Sequence, residues 1–162
     1  KSEAMVKWIN EIESDGVTKI DGIGSQMHVS YSCDPTEQKR REDAVVKSLK
    51  TLAASGKLVR ITELDMGIDD AEGKSINTAD VTLEQHKAMG EYYKFIIKSY
   101  FENIPVAQQY GICHWAQTDS PSGSGWRANC PIGLWTEYNA AAGSGFSRKP
   151  AYGSFCDALA GK

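Results

Sequence analysis

Arg60-Ile-Thr-Glu-Leu-Asp-Met66 is the stretch on which the reading of this chain turns. Its β-branched and apolar side chains make it a strand, and it carries two carboxylates, Glu63 and Asp65, near its end. Charged groups are scarce in buried strands, because desolvating them is costly unless a partner or a function offsets the cost. Residues two apart on a strand project from one face, so both carboxylates enter the same space. An enzyme would hold two acids this way. A plain exposed edge strand would look the same, and the flanking sequence has to separate the two.

Working outward, the whole strand covers Lys57 to Met66. The helix before it starts at Cys33-Asp34-Pro35-Thr36, carries Val45, Val46, Leu49, Leu52 and Ala53, and stops at Gly56. Its charged first half, Glu37 to Asp43, reads as a solvated face. Further upstream, Lys19 to Ser30 reads as a strand on which Gln26 and His28 share a face. Before that comes a helix that Ser2 caps, with Met5, Trp8, Ile9 and Ile12 on one stripe and Asp15-Gly16 at its end.

Downstream, Asp69 to Asp80 is polar and reads as a long surface loop. Thr82-Leu83-Glu84-Gln85 fits a capping box that opens a helix with Met89, Tyr92, Tyr93, Ile96, Ile97, Tyr100 and Phe101 at core spacing. Pro105 closes it, and Val106 to Thr118 reads as a third strand centred on Ile112 to Trp115. A flexible Gly/Ser loop, Ser120 to Gly125, leads to Trp126-Arg127. Then follow a short extended piece, Pro131 to Trp135, a small-residue loop, Ala140 to Ser147, and a final helix after Lys149-Pro150 with Tyr152, Phe155, Cys156 and Leu159 on one stripe.

Strands separated by whole helices pair in parallel through right-handed crossovers, so the fold class is α/β. A chain of 162 residues suits one domain able to bury about 70% of its unfolded surface. Three parallel strands are few for a complete sheet, however, and residues 1–162 read as part of a larger single domain. With 18 basic and 21 acidic residues and no basic run beyond Lys39-Arg40-Arg41, nucleic-acid binding has no support. No apolar run approaches the roughly 18 residues of a membrane span. Cys33, Cys113, Cys130 and Cys156 form no Cys-x-x-Cys pair, which argues against a zinc or redox site. Both two bridges, in three possible connectivities, and isolated buried thiols remain open.

In α/β sheets and barrels, ligands bind at the carboxyl ends of the strands. That rule selects Gln26 and His28, then Glu63 and Asp65, then Trp115, with Gln117 and Asp119 as supports for the loop beyond. His114 and Ala116, flanking Trp115, are assigned to packing.

Asp-Gly-Ile-Gly-Ser-Gln-Met-His (21 to 28), Ile-Thr-Glu-Leu-Asp-Met (61 to 66), His-Trp-Ala-Gln-Thr-Asp-Ser (114 to 120), Gly-Trp-Arg (125 to 127) and Lys-Pro-Ala-Tyr (149 to 152) together resemble the last strands and final helix of glycoside hydrolase family 10. These are retaining endo-β-1,4-xylanases built as TIM-type eight-stranded β/α barrels. The resemblance implies that the three strands are the sixth, seventh and eighth with their flanking helices. It implies Glu63 as the nucleophile, His28 as its hydrogen-bonding neighbour and Asp65 as the group that orients His28. It further implies Gln26, Trp115, Trp126 and Arg127 as substrate-binding residues, aromatic rings being suited to the apolar faces of pyranoses. No metal and no cofactor are implied. The resemblance implies xylan or a xylo-oligosaccharide as the partner, and a secreted, cell-surface or periplasmic enzyme.

A retaining glycosidase needs two carboxyl groups about 5 to 5.5 Å apart. Asp65, a neighbour on the same strand, lies beside Glu63 rather than across a sugar from it. In the family the acid/base is a glutamate in a Trp-x-x-x-Asn-Glu motif, which does not occur here. The resemblance therefore implies that the N-terminal part of the same barrel supplies it and that the fragment alone is inactive. Two other readings compete. Exposed tryptophans and Gly/Ser loops also suit a carbohydrate-binding module, and His28, Glu63 and Asp65 also suit a hard metal in another β/α-barrel hydrolase.

Overall fold

In the computed structural model, residues 1–136 and 145–162 are described. The decisive strand forms as β2 (Leu58–Asp69) and lies at the centre of the sheet, between β1 (Gly22–Ser32) and β3 (Gln109–His114). Both pairings are parallel. The crossovers are α2 (Pro35–Ala53), which Asp34 caps through the backbone N–H of Glu37, and α3 (Leu83–Asn103). The expected capping box of α3 is present, Thr82 and Gln85 each receiving a backbone N–H from the other. Helix α1 (Ser2–Ile12) precedes the sheet and α4 (Pro150–Leu159) packs on α3.

One face of the sheet is covered. Val59, Ile61, Leu64, Met66 and Ile68 of β2 meet Leu49 and Leu52 of α2 and Met89, Tyr93, Ile96, Ile97 and Tyr100 of α3, all essentially without exposed surface. Burying such side chains contributes about 1.5–3 kcal/mol each. The Tyr100 hydroxyl donates to Val59 O at 2.7 Å and receives the N–H groups of Tyr110 and Gly111, tying α3 to both strands. The other face carries Gly24, Gln26, Arg60, Thr62 and Tyr110 and stays open.

The buried residues of β2 change parity, from 59 and 61 to 64, 66 and 68. A regular strand would put Glu63 on the side of Val59 and Ile61, against the helices. Instead Ser25 pairs with Ile61 while Gln26 pairs with Glu63, so Thr62 is an extra residue. This β-bulge flips the alternation, and Glu63 and Asp65 emerge on the open face. Gly24 makes room for it, because a Cβ there would stand 2.8 Å from the Thr62 methyl.

Several expectations are corrected. Ser2 does not cap α1: Lys1 does so without a side-chain bond, and Ser2 Oγ meets Ser48 Oγ at 2.6 Å. Of the α1 stripe only Ile9 is buried, while Trp8 and Ile12 are 68% and 50% exposed. The charged start of α2 is not wholly solvated, since Arg41 turns inward onto Ser30 O and Asp69, both at 2.8 Å. β2 runs on to Asp69, and the segment expected to be a long surface loop folds back on it through Ile76 N–H to Ile68 O. β3 is shorter than expected, because 106–108 make a helical turn and Ala116 adopts a left-handed conformation that ends the strand before Trp115. In α4 the inward stripe is Ala151, Phe155 and Ala158, with Cys156 and Leu159 outside. All four cysteines are free thiols. Of the loop expected at 140–147, residues 140–144 lie outside the described residues.

His114 is packing, as expected. Its ring sits between Tyr93 and Phe155, Nε2 lies 3.1 Å from the Tyr93 hydroxyl, and burial pushes its pKa down to about 4. Unfolded, it titrates near its ordinary value of about 6.5. Between those values the unfolded chain binds a proton that the folded chain excludes, so stability falls as pH drops from about 6.5 to 4. His86, also held near 4 by burial and the charge of Lys149, acts in the same direction. Urea midpoints measured from pH 7 to 4 should therefore decline less steeply in His114→Asn than in the parent, and equal slopes would contradict this account.

Candidate active site

β1 and β2 deliver four polar side chains in two facing pairs, Gln26 opposite Glu63 and His28 opposite Asp65. Gln26 Nε2 donates to Glu63 Oε1 at 2.9 Å, and His28 Nε2 lies 3.2 Å from Glu63 Oε2. On its other side His28 Nδ1 lies 2.9 Å from Asp65 Oδ2. The imidazole thus stands between two carboxylates, with a proton acceptor for each ring nitrogen. Glu63 keeps 23% of its side chain exposed on the open face, whereas Asp65 has no exposed surface.

Three groups face Asp65. Oδ2 also accepts the indole N–H of Trp126 at 2.8 Å, and Oδ1 has the Arg127 Nε 3.5 Å away. Arg127 Nη1 donates to Val29 O at 2.8 Å. The guanidinium lies across β2 at Gly67, where an added Cβ would be 2.8 Å from Nη1. Glycine inside a strand marks such a close approach, and Gly67 is the signal of it in the sequence.

The loop carrying Trp126 is tied down rather than flexible. Trp126 O accepts from Ser120 Oγ at 2.6 Å and Ser124 Oγ at 2.8 Å, and Ser120 N–H bonds Cys130 O. Behind it, Asp119 holds Gly133 N–H and the buried Lys149, whose ammonium also reaches Pro131 O at 2.7 Å. Burial lowers the pKa of Lys149, and the Asp119 charge opposes that shift. Gly133 permits the approach, since a Cβ there would be 2.2 Å from the Thr118 carbonyl carbon.

Of the seven residues selected from the sequence, Gln26, His28, Glu63 and Asp65 lie within the middle and C-terminal half of β1 and β2, both of which run on past the ends expected for them, and Trp115, Trp126 and Arg127 lie beyond the end of β3. Gln26, His28, Glu63, Asp65, Trp126 and Arg127 form one connected cluster. Trp115, 43% exposed, is anchored beside it by its backbone N–H to Leu64 O at 2.9 Å. Trp126 is 42% exposed and its ring centroid is 4.5 Å from that of His28. Arg127 is turned inward, its guanidinium engaged with Val29 and Asp65. Among the described residues no three His, Cys, Asp or Glu side chains are placed to hold a metal ion, and His28 directs its nitrogens to opposite sides rather than to one centre. No helix of the described residues is long and apolar enough to cross a membrane. The parallel α/β sheet also excludes the β-sandwich of a carbohydrate-binding module.

The model of glycosyl hydrolase family 10 matches residues 1–158. A curated relative, endo-β-1,4-xylanase Xyn10C of Cellvibrio japonicus, is 28% identical over 174 aligned positions, which cover 99% of this chain and 26% of the relative. Exoglucanase XynX of Acetivibrio thermocellus is 27% identical over 161 positions, covering 97% of this chain and 12% of the relative. Among solved structures, a mutant of xylanase 10C from Cellvibrio japonicus in complex with xylopentaose superposes with a TM-score of 0.72 and 26% identity, over 99% of this chain and 31% of that one. The chain therefore spans about a quarter of the length of the first of these curated relatives.

Asp65→Ala would leave His28, Trp126 and Arg127 facing an empty position. Removing one partner of a buried charged cluster costs about 3–5 kcal/mol. Urea unfolding should show a loss of that size together with a changed Trp126 emission, and a loss below about 1 kcal/mol would show that the cluster is held by other contacts.

Proposed function

The chain belongs to glycosyl hydrolase family 10, and from that premise we propose that it contributes to an endo-1,4-β-xylanase with Glu63 as its nucleophile. Its sheet and flanking helices are part of a β/α barrel, and in this reading β1, β2 and β3 are the sixth, seventh and eighth strands. The observation that carries the proposal is the Gln26–Glu63–His28–Asp65 cluster on one face of adjacent parallel strands. In a retaining mechanism a Glu63 oxygen bonds to the anomeric carbon as the glycosidic C–O bond breaks, and water then hydrolyses that ester. The attacking form is the carboxylate, and its two oxygens face Gln26 and His28. Asp65 has no exposed surface with which to meet a sugar, and it orients His28. The acid/base is therefore assigned to the N-terminal part of the barrel.

Trp115 and Trp126 supply rings for xylose faces, and Gln26 lines the sugar site at the cleavage point. The expected substrate contact of Arg127 gives way to a positioning role, because its guanidinium is engaged within the protein. Xylan is an extracellular polymer, so the reading carries with it an exported enzyme. The similarity to an exoglucanase supports a second substrate, β-1,4-glucan, for the same site.

A 2-deoxy-2-fluoro xylobioside with a dinitrophenolate leaving group should trap the glycosyl-enzyme ester on Glu63, located by peptide mass. Labelling elsewhere would overturn the assignment. Hydrolysis of xylan and of cello-oligosaccharides in parallel separates the two substrates. The 162-residue chain alone should give no Glu63-dependent turnover of xylan, and robust turnover would place the acid/base within it.

A further inference from the structure

Trp126 differs from Trp115 in what its polar edge does. Its indole N–H points inward to Asp65 Oδ2 at 2.8 Å, the same oxygen that lies 2.9 Å from His28 Nδ1. Its ring packs against the imidazole at 4.5 Å between centroids. The geometry points to Trp126 as a positioning residue for Glu63, acting through Asp65 and His28, beyond its use as a sugar wall. The inference rests on the reading of Glu63 as nucleophile.

The physical argument concerns how a buried carboxylate is kept from rotating. Asp65 Oδ1 has no hydrogen bond of good geometry, only the Arg127 guanidinium at 3.5 Å. Two well-aligned donors on Oδ2, converging from His28 and Trp126, therefore set the plane of the group. With the plane set, Nδ1 has one direction from which to donate, and that fixes where Nε2 meets Glu63 Oε2, 3.2 Å away. Removing the indole N–H leaves His28 alone to orient Asp65, and the imidazole gains freedom that the nucleophile shares. The indole remains 42% exposed, so a xylose packed on that exposed part presses on the hydrogen-bond chain that aims the nucleophile. Wall and nucleophile are then one mechanical unit rather than two independent contacts.

The inference separates the N–H from the ring. In the complete enzyme, Trp126→Phe keeps an aromatic face without the donor. Replacing Trp126 by β-(3-benzothienyl)alanine keeps the bicyclic shape and substitutes sulfur for the N–H. The readout is the pre-steady-state burst of dinitrophenolate from 2,4-dinitrophenyl β-xylobioside. Here a Glu63 oxygen bonds to the anomeric carbon as the bond to the phenolate breaks, and the electron pair leaves with the phenolate, so no proton donor is needed. Both variants should lower the burst rate about tenfold, the expected worth of one hydrogen bond to a charged group. The substrate concentration giving half-maximal burst should change less than about threefold, far less than a lost ring would cost. The pH dependence of the burst should be displaced, which loss of a sugar contact alone would not do. A wild-type burst in both variants overturns the inference. So does weakened binding with an unchanged maximal rate, or a normal burst with the benzothienyl ring alongside a slow one with Phe. Glu63→Gln distinguishes the levels of failure. If it still gives a burst, the nucleophile reading falls and takes this inference with it; if it gives none while the Trp126 variants are normal, only the inference falls.

Discussion

A carboxylate with no exposed surface must be surrounded by donors, because leaving it uncompensated in the interior costs several kcal/mol. Asp65 meets this constraint with groups from separate parts of the chain: His28 from β1, and Trp126 and Arg127 from the segment after β3. The arrangement at the strand ends follows from it. Satisfying Asp65 draws the Trp126 loop over the sheet, lays Arg127 across Gly67 and turns His28 so that its far nitrogen meets Glu63. The same buried charge that would destabilise an isolated strand thus gathers the site.

That gathering depends on one irregularity of the backbone. The covered face of β2 holds Val59 and Ile61 before the bulge and Leu64, Met66 and Ile68 after it. Thr62 absorbs the change of parity, so a strand whose first half must feed the core still presents two acids on the opposite side. Aliphatic burial fixes the strand in place, and the bulge decouples the position of the acids from that packing.

Much of this was legible in the residues. The capping box of α3, the helix start at 33–36 and the helix–strand alternation are local signals, and each formed where its chemistry placed it. The strand ends were legible too, because polar and aromatic residues closing three successive apolar strands are costly unless used. Other features were not. Ser2 reads as a cap but meets Ser48, 46 residues away, and only tertiary contact reveals that competitor. The stripe of α1 has correct helical spacing, yet spacing says which residues share a face and not whether anything covers it. The resemblance implies Arg127 as a substrate contact, whereas its guanidinium lies where Gly67, on another strand, leaves room for it.

By itself, then, the sequence determined the α/β class, the parallel pairing of the three strands, and the grouping of Gln26, His28, Glu63, Asp65 and Trp115 toward one end of the sheet, because periodicity, caps and turns are local and act along the chain, while Trp126 and Arg127 were implied by the family resemblance alone. Only the tertiary structure decided which way those groups point. The bulge at Thr62, the inward turn of the Trp126 N–H and the engagement of Arg127 each depend on a partner far away in sequence, and such partners become neighbours only when the core has closed.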